Sequence, residues 1–233
     1  MTTRLDKFLC DNSPLTRSLA KKAINKGQVT VNQQITINPA SKVKPQDTIA
    51  LNDQIIDVIG LRYIMLNKPT NYICSTIDEQ YPSVLRLIDI EQSEKLHIAG
   101  RLDADTTGLV LITDDGQWSH NVTSPNKQCS KTYQVTLAEP IDANATAQFE
   151  QGIQLKGEKH LTKSAKLEII TPTQVNLTIG EGKYHQVKRM FAAIGNKVVK
   201  LHRHRIGGVE LDEQLPVGQW RFLTDEQISS FST

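Results

Sequence analysis

The sequence predicts an α+β protein with a small N-terminal domain and a larger domain, whose mostly antiparallel or mixed sheet is flanked by helices. Three observations lead to this prediction. In the larger part of the chain, strand-like apolar runs outnumber helical patterns, several of these runs are joined by short turns, and the hydrophobic pattern resets near residue 60. With 233 residues, the chain can form two domains with separate cores, residues 1–60 and residues 61–233.

The first domain is predicted to contain a basic helix followed by a hairpin. Thr16 can cap a helix over residues 17–25 that turns its apolar side chains inward, and Gly27 can end this helix in a left-handed conformation. Alternating apolar residues on both sides of residues 32–34 then predict a short hairpin packed on the helix. One more strand is expected at residues 48–51.

The second domain is predicted to contain six strands and two helices. The run from Leu109 to Ile112 is continuously apolar, which indicates a strand that enters a core. The predicted strands are residues 63–66, 109–113, 131–137, 165–170, 174–179 and 198–205, and the predicted helices follow Asp114 and contain residues 188–194.

The composition is that of an ordinary globular protein and excludes several classes of site. No apolar run approaches the roughly 20 residues of a membrane helix, and the N-terminus lacks a signal-peptide core, so a cytoplasmic location without a membrane partner is expected. The three cysteines are far apart, which excludes a disulfide framework and a CxxC site. Because the histidines lack ligand spacing and no glycine-rich phosphate loop is present, we expect neither a metal nor a cofactor.

The net charge of +2 hides two basic clusters. Residues 4–44 contain eight lysines or arginines and two acids, and residues 183–205 contain seven lysines or arginines and no acid. Such clusters indicate a polyanionic partner, because lysine and arginine neutralise phosphates. For either cluster alone, a solvated helix face is the alternative interpretation.

An acidic turn precedes the most apolar predicted strand. Residues 100–108, GRLDADTTG, place Asp103 and Asp105 between two glycines. Three interpretations compete: a catalytic carboxylate, a turn in which Asp and Thr side chains bond backbone amides, and a calcium loop. The calcium interpretation is disfavoured because the last ligand position holds Asp114 in place of glutamate, and because a strand follows Gly108 where a helix is needed.

Three segments of the first domain carry a family resemblance. Residues 4–9 (RLDKFL), residues 18–32 (SLAKKAINKGQVTVN) and residues 43–49 (VKPQDTI) resemble the alpha-L RNA-binding domain. This resemblance implies that the helix and the turn after it lie on structured RNA. The positions that it marks as RNA contacts are Arg17, Lys21, Lys22 and Lys26.

The second domain is similar to the pseudouridine synthases. The likeness is carried by LNKP at residues 66–69, the segment 100–116, SKTY at residues 130–133, and EGKYHQVKRMF at residues 181–191 followed by LHRHRIG at residues 201–207. The resemblance implies that a specific uridine of 16S ribosomal RNA becomes pseudouridine, with uridine 516 as the expected target. The expected partner is small-subunit ribosomal RNA, naked or in a ribonucleoprotein particle, and the expected state is a monomer. The alternative is a non-catalytic rRNA-binding protein that assists small-subunit assembly.

The same resemblance assigns roles to individual residues. Asp103 is the essential carboxylate, Tyr133 stacks on the flipped-out base, and Lys188 pairs with Asp103. Whether Asp103 attacks carbon or removes a proton stays open, and Asp105 is expected to be structural. Arg101, Leu102 and Leu201 are assigned to the substrate pocket, and Lys68, Arg189, Arg203 and Arg205 to RNA contacts, with a strut for the active-site loop as the alternative for Lys68.

Two positions depart from the pattern of the family. Lys188 stands where many relatives have arginine, so its pairing with Asp103 is expected to be less directional, and Arg189 could take over part of it. Asn71 stands where relatives often have glycine. Because asparagine tolerates positive φ better than most residues, we expect the turn to form.

Overall fold

A computed structural model describes residues 2–124, 127 and 129–231 of the chain. It contains two compact units, Met1–Gly60 and Leu61–Thr233. Among the described residues, no helix is long and apolar enough to cross a membrane.

In the unit Met1–Gly60, two helices and short strands share one apolar core. The helices are α1 (Leu5–Asn12) and α2 (Arg17–Asn25); the larger sheet has the order β3 (Gln34–Ile35), β2 (Val29–Val31), β5 (Ile49–Leu51), β6 (Gln54–Ile55), and β1 (Thr3–Arg4) pairs with β4 (Lys42–Val43). The predicted caps of α2 are confirmed. Thr16 accepts a hydrogen bond from the amide of Leu19, and Gly27 has a φ of +71°.

The predicted hairpin is present, but its expected packing is wrong in part. Val29 is buried in the core, whereas Ile35 and Ile37 are 68% and 65% exposed. The turn consists of Asn32 and Gln33, which both have positive φ, as a two-residue hairpin turn requires. Helix α1 was not predicted.

The unit Leu61–Thr233 is built on one mixed sheet. Its main path runs β11 (Lys166–Thr171), β12 (Gln174–Ile179), β10 (Lys131–Leu137), β13 (Val198–Ile206), β9 (Thr107–Thr113), β7 (Tyr63–Lys68) and β15 (Trp220–Phe222), with β8 (His97–Ala99) paired to β9 and β14 (Val209–Glu210) to β13. Within the described ranges, β13 with β9 is the one parallel pair of strands. The six predicted strands are all present, with ends shifted by at most two residues. The predicted α+β class is confirmed.

Helices cover both faces of this sheet. They are α3 (Gly116–Thr123), α4 (Ala145–Gln151), α5 (Gln186–Ala193) and the short C-terminal α6 (Asp225–Ser229). In β9, Val110 and Ile112 belong to one apolar cluster, and Leu109 and Leu111 belong to a second one. Because successive strand residues point to opposite faces, β9 is buried on both sides, which explains its continuous apolar run.

Candidate active site

The acidic turn forms the Asp103 loop (residues 100–106), which connects β8 to β9. At the first residues of β9, the parallel neighbour β13 comes very close. A Cβ atom on Gly108, which has a φ of +102°, would lie 2.3 Å from the carbonyl oxygen of Arg203. Glycine is therefore required at this position for β9 and β13 to pair. The calcium interpretation is wrong, because the chain from Thr107 onward is a strand, and Asp114 binds Arg62.

Lys68 holds the Asp103 loop from its buried side, below the loop. Its side chain is fully buried, and its Nζ donates hydrogen bonds to the carbonyl oxygens of Pro69, Thr106 and Ala104 at 2.9, 2.8 and 3.3 Å. Burial lowers the pKa of this ammonium group. The assignment of Lys68 to an RNA contact is wrong, since the group cannot reach phosphate; it is the strut that was the alternative. The turn at Asn71, which has a φ of +63°, adds a hydrogen bond from the backbone amide of Asn71 to the carbonyl oxygen of Ala104.

Arg203 holds the same loop at its other end. The side chain is only 2% exposed, and its guanidinium donates to the carbonyl oxygens of Leu109 (2.9 Å), Gly100 (2.8 Å) and Arg101 (3.3 Å). Its assignment to an RNA contact is therefore also wrong, because a side chain buried to this degree cannot reach an RNA phosphate. Lys68 and Arg203 are the two loop-floor cations.

Above the loop, on the side of the cavity, one lysine bridges two carboxylates. Nζ of Lys188, on α5, lies 3.0 Å from Oδ2 of Asp103 and 2.6 Å from Oδ1 of Asp105. Burial opposes the charge on Lys188, but the hydrogen bonds that it donates to both carboxylates outweigh this effect and raise the pKa of the ammonium. Although burial alone would raise it, the pKa of Asp105 is lowered, mainly by Lys188. Asp105 is thus part of the charge cluster, although only a structural role was expected for it.

A histidine completes this cluster on the other side of Asp103. Nε2 of His185 lies 3.2 Å from Oδ1 of Asp103. By contrast, Arg189 takes no part in the pairing with Asp103, so that prediction is wrong. Its guanidinium bonds Glu158 and the carbonyl oxygens of Tyr184 and Lys156, so these donors hold a turn, and the assignment of Arg189 to an RNA contact stays a prediction.

The charge cluster opens into a cavity of about 740 Å³. Such a volume is typical of sites that take a small molecule or one nucleotide. Tyr133 forms part of the wall, is 8% exposed and lies with its ring centroid 6.0 Å from the guanidinium carbon of Arg203. All six residues assigned to catalysis or to the pocket line this one cavity: Asp103, Tyr133, Lys188, Arg101, Leu102 and Leu201.

The two basic clusters of the sequence differ once folded. On α2 and directly after it, Lys21, Lys22 and Lys26 are exposed and form no ion pair within the part of the chain that the structure describes, while Arg17 lies 3.4 Å from Asp6. In residues 183–205, acids from other segments neutralise most of the charge. Lys183 and Arg189 bind Glu158, Lys188 binds Asp103 and Asp105, and the exposed Arg205 lies 3.4 Å from Glu210.

Comparisons with known proteins identify both units. The RNA pseudouridylate synthase family matches residues 62–193, and the RNA-binding S4 domain matches residues 3–49. The chain belongs to the RNA pseudouridylate synthase family. This finding confirms the resemblance of the second domain and makes the chain an isomerase of RNA uridines, so the non-catalytic alternative is not supported.

Individual relatives cover nearly the whole chain. The Salmonella typhi protein named ribosomal small subunit pseudouridine synthase A is 54% identical over 228 residues, which are 97% of this chain and 99% of that protein. The protein of the same name from Vibrio cholerae is 52% identical over 227 residues, or 97% and 98% of the two chains. A solved pseudouridylate synthase structure matches with a TM-score of 0.72 and 52% identity, covering 98% of this chain and 99% of that chain.

Proposed function

We propose that this protein converts one uridine of small-subunit ribosomal RNA to pseudouridine, with Asp103 as the essential carboxylate. The observation that carries the proposal is the contact of Asp103 with Lys188 at 3.0 Å on the wall of a nucleotide-sized cavity. The small-subunit substrate is supported by the names of the relatives, which act on that RNA.

The reaction requires few chemical groups. The bond between ribose C1′ and uracil N1 breaks, C1′ bonds to uracil C5, the proton on C5 leaves, and N1 gains a proton. No electrons are lost or gained overall. A carboxylate beside the ribose is the one strongly acting group needed, and Asp103 supplies it because about a third of its side chain faces solvent in the cavity.

Lys188 and His185 keep this carboxylate placed. Each contacts a different oxygen of Asp103, so the carboxylate plane is fixed from two sides. Ion pairs in a partly water-excluded cavity are stronger than in bulk water, and a neighbouring ammonium favours the ionised carboxylate. The buried Leu102 and Leu201 on the cavity wall limit the access of water.

Tyr133 serves as the surface on which the detached uracil turns. Uracil has to rotate so that C5, in place of N1, faces the ribose. Stacking on a ring face tolerates rotation of the base in its own plane, which a set of hydrogen bonds would resist. To reach the cavity, the uridine leaves the RNA stack.

The exposed cations of α2 supply the affinity for the rest of the RNA. Arg17, Lys21, Lys22 and Lys26 occupy one helix and its end, where they can neutralise successive phosphates. Of the RNA contacts assigned to the second unit, Arg205 is exposed, and it lies 3.4 Å from Glu210. Since phosphate contacts do not read sequence, the choice of uridine rests on the fit of the RNA around the cavity.

Uridine 516 of 16S ribosomal RNA is the proposed target. Pseudouridine is mapped by carbodiimide modification and primer extension in rRNA from cells whose own gene for this protein is deleted. These cells carry no replacement, the wild type, Asp103→Asn, or the control Asp53→Asn, which lies in an exposed turn. Wild type and control should restore the modification at 516, and Asp103→Asn should not. If the modification persists without the protein, the target is wrong; if Asp103→Asn restores it, the role of Asp103 is wrong.

A further inference from the structure

An exposed tyrosine stands at the rim of the catalytic cavity. Tyr184 is 76% exposed, the most of the described large apolar or aromatic side chains that lie on the surface, and it belongs to none of the three apolar clusters formed by the described residues. It nevertheless lines the same cavity as Asp103. Exposed aromatic rings that do not pack in a core often mark binding surfaces.

The ring of Tyr184 is supported on one face by a neighbouring ring. It stacks on the ring of His185, with 3.8 Å between centroids and 20° between planes. His185 has a φ of +47°, a left-handed conformation that most residues avoid and that must be stabilised by its surroundings. Arg189 donates a hydrogen bond to the Tyr184 carbonyl oxygen at 3.1 Å and is itself anchored on Glu158, so the turn is fixed.

The stack is also fixed relative to the reacting carboxylate. His185 contacts Tyr184 through its ring face and Asp103 through Nε2, at 3.2 Å. One ring face of Tyr184 is therefore covered by His185, and the exposure of its side chain leaves the other face available. An aromatic face at a set position beside Asp103 is a preorganised contact, which binds a planar partner with little loss of side-chain entropy.

We propose that Tyr184, supported by His185, is a stacking platform for the unpaired nucleobase next to the target uridine. The proposal rests on the proposed function, because the occupant is the same RNA. When a uridine flips out, its neighbours lose a stacking partner. Single-stranded bases in proteins stack on aromatic faces, whatever their identity. The target uridine itself needs the enclosed wall at Tyr133, whereas the exposed rim suits a base that stays outside the cavity.

The test uses 16S rRNA fragments that carry 2-aminopurine, a base whose fluorescence falls on stacking, directly 5′ or directly 3′ of the target uridine. All binding measurements use the Asp103→Asn background, in which no conversion occurs. One of the two reporters should be quenched on binding. Quenching should disappear with Tyr184→Ala and persist with Tyr184→Phe, which keeps the ring, and with Phe222→Ala, which removes an exposed aromatic ring outside the cavity.

Kinetics in the otherwise wild-type protein provide a second readout. Loss of one stacked base should raise the KM for RNA roughly fivefold to a hundredfold with Tyr184→Ala, with kcat within about threefold. Unchanged quenching with Tyr184→Ala would overturn the proposal. So would a fall in kcat at constant KM, which would make Tyr184 a contact of the uridine itself. If the wild type never forms pseudouridine, the proposed function fails, but the quenching experiment still decides the platform because it needs no turnover.

Discussion

Three cations approach the Asp103 loop, two from below and one from above, and their surroundings differ. The loop-floor cations Lys68 and Arg203 are buried and donate to backbone carbonyl oxygens. Lys188 is partly exposed and donates to two carboxylates. The same formal charge thus has two uses. Below the loop it satisfies and fixes the backbone, and above the loop it balances and places the reacting group.

This difference separates stability from activity. Removal of a buried donor leaves carbonyl oxygens without partners and lowers the free energy of unfolding. Removal of a partly exposed ion pair changes the free energy of unfolding only a little. The following substitutions test the separation, from the largest expected effect to the smallest.

Replacement of Lys188 by methionine should reduce kcat the most. Loss of a preorganised charge beside the reacting carboxylate typically costs about 100-fold to 1000-fold in rate. The free energy of unfolding should change by about 1 kcal/mol or less, because Lys188 and Asp103 are both partly solvated. Tritium release from uridine labelled at C5 and denaturant unfolding measure the two quantities, with the exposed Lys197→Met as the control. A large loss of stability without loss of kcat would reverse the comparison.

Replacement of Arg203 by leucine should mainly destabilise the unit Leu61–Thr233. Three carbonyl oxygens lose their donor, at about 1 kcal/mol or more each, so we expect a loss of roughly 3 kcal/mol. Activity should fall as well, because the loop that carries Asp103 loses its anchor. Urea unfolding compares this variant with Arg205→Leu, an exposed arginine on the same strand. Equal stability of the two variants would show that the floor does not hold the loop.

Replacement of Asp105 by asparagine should have the smallest effect, about tenfold or less in kcat, since Lys188 keeps its contact with Asp103. Its signature is the pH dependence. Asp105 helps raise the pKa of Lys188, so activity that needs the ammonium is complete below the ordinary lysine pKa and is lost as pH rises through the raised value. Without Asp105 this alkaline loss should begin at lower pH. A pH–rate profile that does not move would show that Asp105 plays no part.

Local signals in the sequence were sufficient for much of the fold. Thr16 and Gly27 bound α2 as predicted because capping depends on residues within one turn. The apolar run of β9 identified a buried strand because its two faces pack against separate clusters. The prediction that Ile35 packs on the helix was wrong because a strand of two residues is too short for its sequence to indicate which face is covered.

The prediction of the site depended on the family resemblance. Asp103, Tyr133 and Lys188 are distant in sequence, and no periodicity brings them together. The resemblance could not distinguish buried from exposed cations, since Arg203 becomes buried only where β13 meets Gly108. Likewise, most of the basic cluster at residues 183–205 is neutralised by acids outside it, such as Glu158. Only the folded chain reveals these pairings.

The central claim is that the Asp103 carboxylate carries out the isomerisation. Its most direct test is single-turnover tritium release from C5-labelled 16S rRNA, with RNA affinity measured in parallel by filter binding. Asp103→Asn should release no tritium above background while its RNA affinity stays within about threefold of wild type, because removal of an acid takes no phosphate contact away. Release by Asp103→Asn at the wild-type rate would contradict the account.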